Sequence, residues 1–261
     1  MAKVKVFLTA AVLTAALLGC AQLFEFNLFS ALDKASVPKA SDLKKMDTDD
    51  ALDLLEGEAD SDAFFDALKN DPDGKADLEE YLKVTMNGGN DATPKDIPRA
   101  ALLYSDIELK TTGADDVVNN LVKVLDTSGS DSMDSFDSFE DFWEAVAPQG
   151  ADPATVFDGL NNAYTGFNIL GDSLSDTDGD GTLDGPEGAN MGEAAQNAVV
   201  AFMVYKVMDA NDFTEGSELA EALSDTTLTM PELSSSDPDF TNISNIVNAA
   251  SPDLANLLGI Q

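Results

Sequence analysis

The chain has 261 residues, 44% of them hydrophobic, with 14 Lys plus Arg against 49 Asp plus Glu and a formal net charge of −35. So negative a field repels phosphate backbones, and nucleic-acid binding is excluded as a function class. With no histidine and one cysteine, the chain has no Ser-His-Asp or Cys-His catalysis, no His-ligated metal, no internal disulfide and no thiolate zinc site. Carboxylate, hydroxyl, amide and lysine chemistry remain.

In chain order, the first feature is Lys3 and Lys5 followed by an apolar run from Val6 to Leu18, broken only by Thr9 and Thr14. This run is short for a permanent membrane span but suits the hydrophobic part of a secretory signal. It ends in Leu17-Leu18-Gly19-Cys20, which resembles the lipobox of bacterial lipoproteins. That resemblance implies a signal peptide over 1–19, cleavage before Cys20, and acylation of Cys20, the first residue of the mature protein. Two or three acyl chains hold a protein on a membrane durably, at ~0.8 kcal/mol per buried CH₂. Cleavage removes two lysines and no acids, so the lipid rather than a basic patch is the expected anchor. By the enterobacterial sorting rule Ala21 favours the outer membrane. Residues 20–36 then form the lipid anchor and a short apolar tether. Its Leu23, Phe24, Phe26, Leu28, Phe29 and Leu32 are expected to pack into the domain's own core rather than lie as an amphipathic segment on the lipid surface, since flanking basic residues are scarce.

Beyond the tether, helical spacing dominates. Amphipathic runs fall at 42–56, 61–69, 76–86, 97–110, 115–126, 137–147, 216–224 and 241–258, and Thr112-x-x-Asp115 reads as an N-terminal cap. Asp152-Pro153 is a helix start, after which Val156, Leu160, Ala163, Phe167, Leu170 and Leu174 recur at steps of four and three. Ala194 to Met208 is apolar on nearly every side, which marks a buried central helix. Phe136, Phe139, Phe142 and Trp143 sit at helical spacing and are expected in the core. Asn87–Pro94, Ser128–Ser135 and Ser234–Asp239 read as loops, and the Ser/Asp-rich 128–135 separates an N-terminal helical half (37–127) from a C-terminal half (136–261). The expected fold is all-α, an irregular multi-helix bundle. A tetratricopeptide-like helical solenoid is the alternative, although no fixed period runs along the chain.

One linker carries specific chemistry. Residues 176–187 read Asp-Thr-Asp-Gly-Asp-Gly-Thr-Leu-Asp-Gly-Pro-Glu, which resembles the twelve-residue calcium loop shared by EF-hands, dockerins and thrombospondin type 3 repeats. Chance matching of its six key positions is on the order of 10⁻⁶ per window. The resemblance implies side-chain oxygens from Asp176, Asp178 and Asp180, and the backbone carbonyl of Thr182. Asp184 acts directly or through water, and Glu187 closes the shell with both oxygens. Gly181 permits the sharp turn and Leu183 points inward. Departures from the EF-hand pattern are Ser175 before the loop and Gly188 after it, where bulky apolar residues are usual, and the lack of a second good loop. Asp71-Pro-Asp-Gly74 with Asp77 and Glu80 is the nearest relic, but its first ligand position is Lys69, and it reads as an ordinary turn. A lone exported loop implies one structural Ca²⁺ site of weak affinity, about 10⁻⁴–10⁻³ M. The wider excess of Asp over Glu matches the surfaces of proteins from saline habitats.

The expected function is therefore a membrane-anchored, exported, calcium-binding lipoprotein with a structural or binding role in the cell envelope. Its partners are the membrane, through lipid, and an envelope protein or small ligand. The alternatives are a helical-repeat partner of a periplasmic uptake system and a hydrolase working with two carboxylates, the one catalytic device this composition permits.

Overall fold

The computed structural model describes residues 37–128, 139–177, 179, 183–223, 228–229, 231 and 238–250. The expected signal peptide, Cys20 and the tether 20–36 lie outside the described residues. So do Phe136, most of the 128–135 loop, and the part of the 241–258 run beyond residue 250.

Eleven α-helices are described: α1 (Ala40–Leu43), α2 (Thr48–Ala59), α3 (Asp62–Asn70), α4 (Pro72–Met86), α5 (Asp96–Thr112), α6 (Asp115–Ser128), α7 (Phe139–Val146), α8 (Pro153–Ser173), α9 (Met191–Ala210), α10 (Gly216–Ala222) and α11 (Pro238–Ala250). Among the described residues the one extended pairing is an isolated antiparallel bridge between Ser175 and Asp184. The protein is an all-α, irregular multi-helix bundle.

Local chemistry explains where these helices begin. Asp152 accepts the Thr155 N–H at 3.3 Å with Pro153 at the first position of α8. Asp71 does the same for α4, taking the Gly74 N–H at 3.0 Å ahead of Pro72. Each supplies an acceptor to amide groups that lack an intrahelical partner. Residues 72–80 are therefore helical, and the Asp71–Glu80 relic is no calcium loop. The single run expected over 42–56 divides into α1 and α2 at a turn after Leu43. Thr112 does not cap α6. It ends α5, its hydroxyl donating back to the Glu108 carbonyl at 2.6 Å, and Gly113 at φ 75° turns the chain into α6.

The most extensive packing is between α5 and α8. A Cβ on Gly166 would fall 2.2 Å from Ser105 Oγ and 2.6 Å from the Ala101 carbonyl, so only glycine admits this approach. Ser105 Oγ lies 2.9 and 3.0 Å from the Ala101 and Ala163 carbonyls, which share its one hydroxyl proton, joining the helices where they touch. On its other flanks α8 packs against α9, α10 and α11. Helices far apart in sequence thus share one core, which disfavours a repeat solenoid, since there each unit touches only its neighbours. Helix α9 is buried from Ala194 through Val204 and again at Val207 and Met208, as its unbroken apolar run requires. Phe139, Phe142 and Trp143 are buried, with the Trp143 ring 4.5 Å from that of Phe157. Among the described residues no helix is long and apolar enough to cross a membrane.

Candidate metal centre

The linker between α8 and α9 is closed at its base. The Asp184 N–H donates to the Ser175 carbonyl at 3.0 Å. Beside that bridge Thr177 grips the Asp184 side chain: its N–H donates to Oδ2 at 2.8 Å and its hydroxyl donates to the same oxygen. Asp176 turns back into its own loop, Oδ1 accepting the Gly179 N–H at 2.7 Å, and Gly179 takes the left-handed conformation that this turn needs, φ 80°. Leu183 packs against the core, anchoring the loop as its apolar character predicts.

The exit from the loop is equally constrained. A Cβ on Gly185 would meet Met191 Sδ at 2.4 Å, so the chain leaves the loop pressed against the first residue of α9. Gly188 at φ 80° turns it again, and Asn190 caps α9 by accepting the Glu193 N–H at 3.2 Å. No helix follows directly on residue 187, where an EF-hand has its exiting helix already under way.

Of the residues expected to hold metal, Asp176 and Glu187 are exposed and Asp184 is half-buried, with Asp176 and Asp184 flanking the bridged base. Asp178, Asp180 and Thr182 lie outside the described residues, as does Gly181. Among the described residues no group of three or more acids is placed to hold a metal ion. The donor set fits a hard cation: its acids and the Thr182 carbonyl present oxygen alone, and the chain contains no histidine.

Asp184 and Glu187 also line one wall of a groove of about 680 Å³, whose opposite wall is α2 and the start of α5. There stands Arg99, a residue that helical spacing alone does not single out. Its Nε and Nη2 reach the two Glu56 oxygens at 2.7 and 2.6 Å, Nη1 reaches Asp49 at 2.7 Å, and Nη2 reaches Asp53 at 2.5 Å. The hydrogen bonds it donates to Glu56 and Asp53 and the field of both acids hold the guanidinium charged, against a desolvation cost. The readable signal is an acidic stripe at i, i+4 and i+7 on α2 opposite the only arginine of the sequence.

A second cavity of about 390 Å³ adjoins the exit of the loop, and Asp106 lines it with Glu187, Glu193 and Lys110. Loss of hydration pushes the Asp106 carboxyl up to about 7, opposed by Lys110 and reinforced by Glu193 and Asp115. Between α4 and α5, Glu108 is 2% exposed, accepting from Lys75 Nζ at 3.1 Å and from the Tyr104 hydroxyl at 3.0 Å. This network links helices within the core.

Compared with known protein families, characterised proteins and solved structures, the chain matches none.

Proposed function

We propose that this protein is an exported lipoprotein, anchored by acylated Cys20 on a bacterial membrane (the outer membrane favoured), whose helical domain is stapled by one calcium ion in the loop 176–187. The observation that carries the reading is the pinched base of that loop. A backbone bridge and a two-pronged grip from Thr177 bring the chain back on itself within twelve oxygen-rich positions. Asp176, Asp178, Asp180, the Thr182 carbonyl, Asp184 and Glu187 would hold the ion. It supplies positive charge to a turn crowded with carboxylates, fixing the end of α8 to the start of α9. The role is binding or structural support of an envelope protein or small ligand, not catalysis.

The test has two arms. Calcium at 10 mM stabilises the domain by about 1–3 kcal/mol for a site of 10⁻⁴–10⁻³ M affinity, and the rise in melting temperature is absent in Asp176→Ala/Glu187→Ala. A wild type indifferent to millimolar calcium overturns the site. In the second arm, Cys20→Ser moves the protein from the membrane fraction to the soluble one. An unchanged membrane fraction overturns the anchor.

A further inference from the structure

The cavity of about 390 Å³ lies between the end of α2, one face of α5 and the first turn of α9. Helical spacing turns Leu102, Leu103 and Asp106 of α5 toward it together, and Ala194 of α9 lines it with them. A carboxylate thus stands in an apolar wall. On the same helix the fold supplies donors to the acids it encloses: Asp96 accepts from the Thr93 N–H and hydroxyl at 2.8 and 2.7 Å, and Glu108 from Lys75 and Tyr104. Among the described residues none donates to Asp106. The two cations of the lining are placed elsewhere. Arg99 is bound to the α2 acids, and Lys110 Nζ lies 4.6 Å from the centre of the Phe65 ring. An acceptor deprived of both water and protein donors, facing a cavity, is the complement of a ligand that brings the donor.

The lining also fixes the kind of donor. Glu56, Asp60, Glu187 and Glu193 stand around the same cavity, so the field inside favours a cation. One carboxylate in an apolar wall cannot supply the six or more oxygens of a calcium shell. It suits an ammonium group, whose charge-assisted hydrogen bond replaces lost hydration while a hydrocarbon part covers the wall. A volume of about 390 Å³ belongs to the smaller class of ligand sites. We propose that this cavity binds a small primary amine with a compact apolar body, its ammonium on Asp106 and its hydrocarbon part against Leu102, Leu103 and Ala194. The site goes beyond the calcium reading of the loop and does not depend on it.

Calorimetric titration of the full chain with phenethylamine tests this, in EDTA and physiological salt at about pH 8, where an alkylamine keeps its proton. The amine binds at one site. 2-Phenylethanol, alike in shape and without charge, binds at least about tenfold more weakly. Asp106→Asn weakens the amine about 10- to 100-fold and leaves the alcohol unchanged. Asp73→Asn, which removes an exposed acid from α4, binds the amine as the wild type does, separating the site from the general attraction of a chain of net charge −35 for cations. No uptake of phenethylamine by the wild type at about 10 mM overturns the proposal, as does an alcohol bound as tightly as the amine; neither result needs a variant. Equal affinity in Asp106→Asn and Asp73→Asn overturns it too.

Discussion

Along one face of α2, Asp49, Asp53 and Glu56 meet a cation built into the fold, Arg99, which reaches all three. In the α8–α9 linker five acids occupy twelve positions within a stretch, residues 124–205, that contains no lysine or arginine. Both regions concentrate carboxylates of one sign, so both carry a repulsion that folding must offset. The helix stripe has its counter-charge covalently supplied, and its geometry is the same in any ionic medium. The linker has donors only, and on the calcium reading its counter-charge comes from solution. Arg99 also lines the groove that Asp184 and Glu187 line, but its described donors are engaged with α2. Net charge therefore says little about where an acidic protein wants ions. What matters is whether a protein cation reaches the acids.

The strongest way to break this comparison is Arg99→Met. It leaves three carboxylates facing one another, and because the guanidinium side chain is only 12% exposed, its loss is not made good by water. The expected destabilisation is about 2 kcal/mol, less than for a fully buried pair because the acids reach solvent. Urea unfolding at fixed pH measures it. Arg99→Lys recovers only part, since a point charge cannot serve Asp49, Asp53 and both Glu56 oxygens together. Millimolar calcium leaves the Arg99→Met deficit in place. If calcium abolishes it, the α2 stripe is itself a divalent-ion site and the distinction between the two regions fails.

Asp106 sharpens the comparison, because it lies between the two regions and meets a third fate. With Glu193 and Asp115 adding to the effect of lost hydration, its carboxyl keeps a proton up to about pH 7. The folded-state pKa is above the unfolded value of 3.8, so the unfolded chain releases its proton first as pH rises. Stability is thus undiminished below the unfolded pKa, and is lost progressively as pH rises through the folded one. Asp106→Asn removes this loss. Near pH 8 the variant is more stable than wild type, by an amount on the order of 2 kcal/mol, and the difference vanishes toward pH 4. Chemical denaturation across that range checks the sign. A variant less stable than wild type at pH 8 shows that Lys110 outweighs burial at this position.

The same residues show how far the sequence could be read. The helix start at Asp152-Pro153 was legible because cap, proline and apolar spacing coincide. Asp71-Pro72 carries the same signature, but Asp73-Gly74 behind it reads as a turn, so α4 is expected to begin later, at 76, than it does. The turn between α1 and α2 is what lets Leu43 and Leu52 share one core: nine residues, about two and a half turns, would put them on opposite faces of a single helix, and the run over 42–56 passes over that break in phase. Helix α9, buried on all sides, was legible from composition alone. In the loop, residue types and spacing identify the oxygen donors. The grip of Thr177 on Asp184 depends on how the chain folds back across seven positions, which spacing does not encode. Arg99 and its acids are 43 to 50 residues apart and become neighbours only through the packing of α5 on α2.

The smallest effect belongs to Lys95, which shares Asp49 with Arg99. Its Nζ lies 2.8 Å from Asp49 Oδ2, close to the 2.7 Å of the Arg99 contact. Distance alone would rank the two cations as equals. Their exposure separates them: the Lys95 side chain is 63% exposed against 12% for Arg99. Water and salt screen the exposed pair, and the lysine stem loses rotamer freedom to make it, so the two contributions nearly cancel. Lys95→Ala is expected to melt within about 1 °C of wild type, with the residual difference disappearing in 1 M NaCl. A loss comparable to that of Arg99→Met would mean that the acidic stripe needs total charge rather than an enclosed, multiply hydrogen-bonded cation, and the contrast with the linker would then have to be drawn from charge number alone.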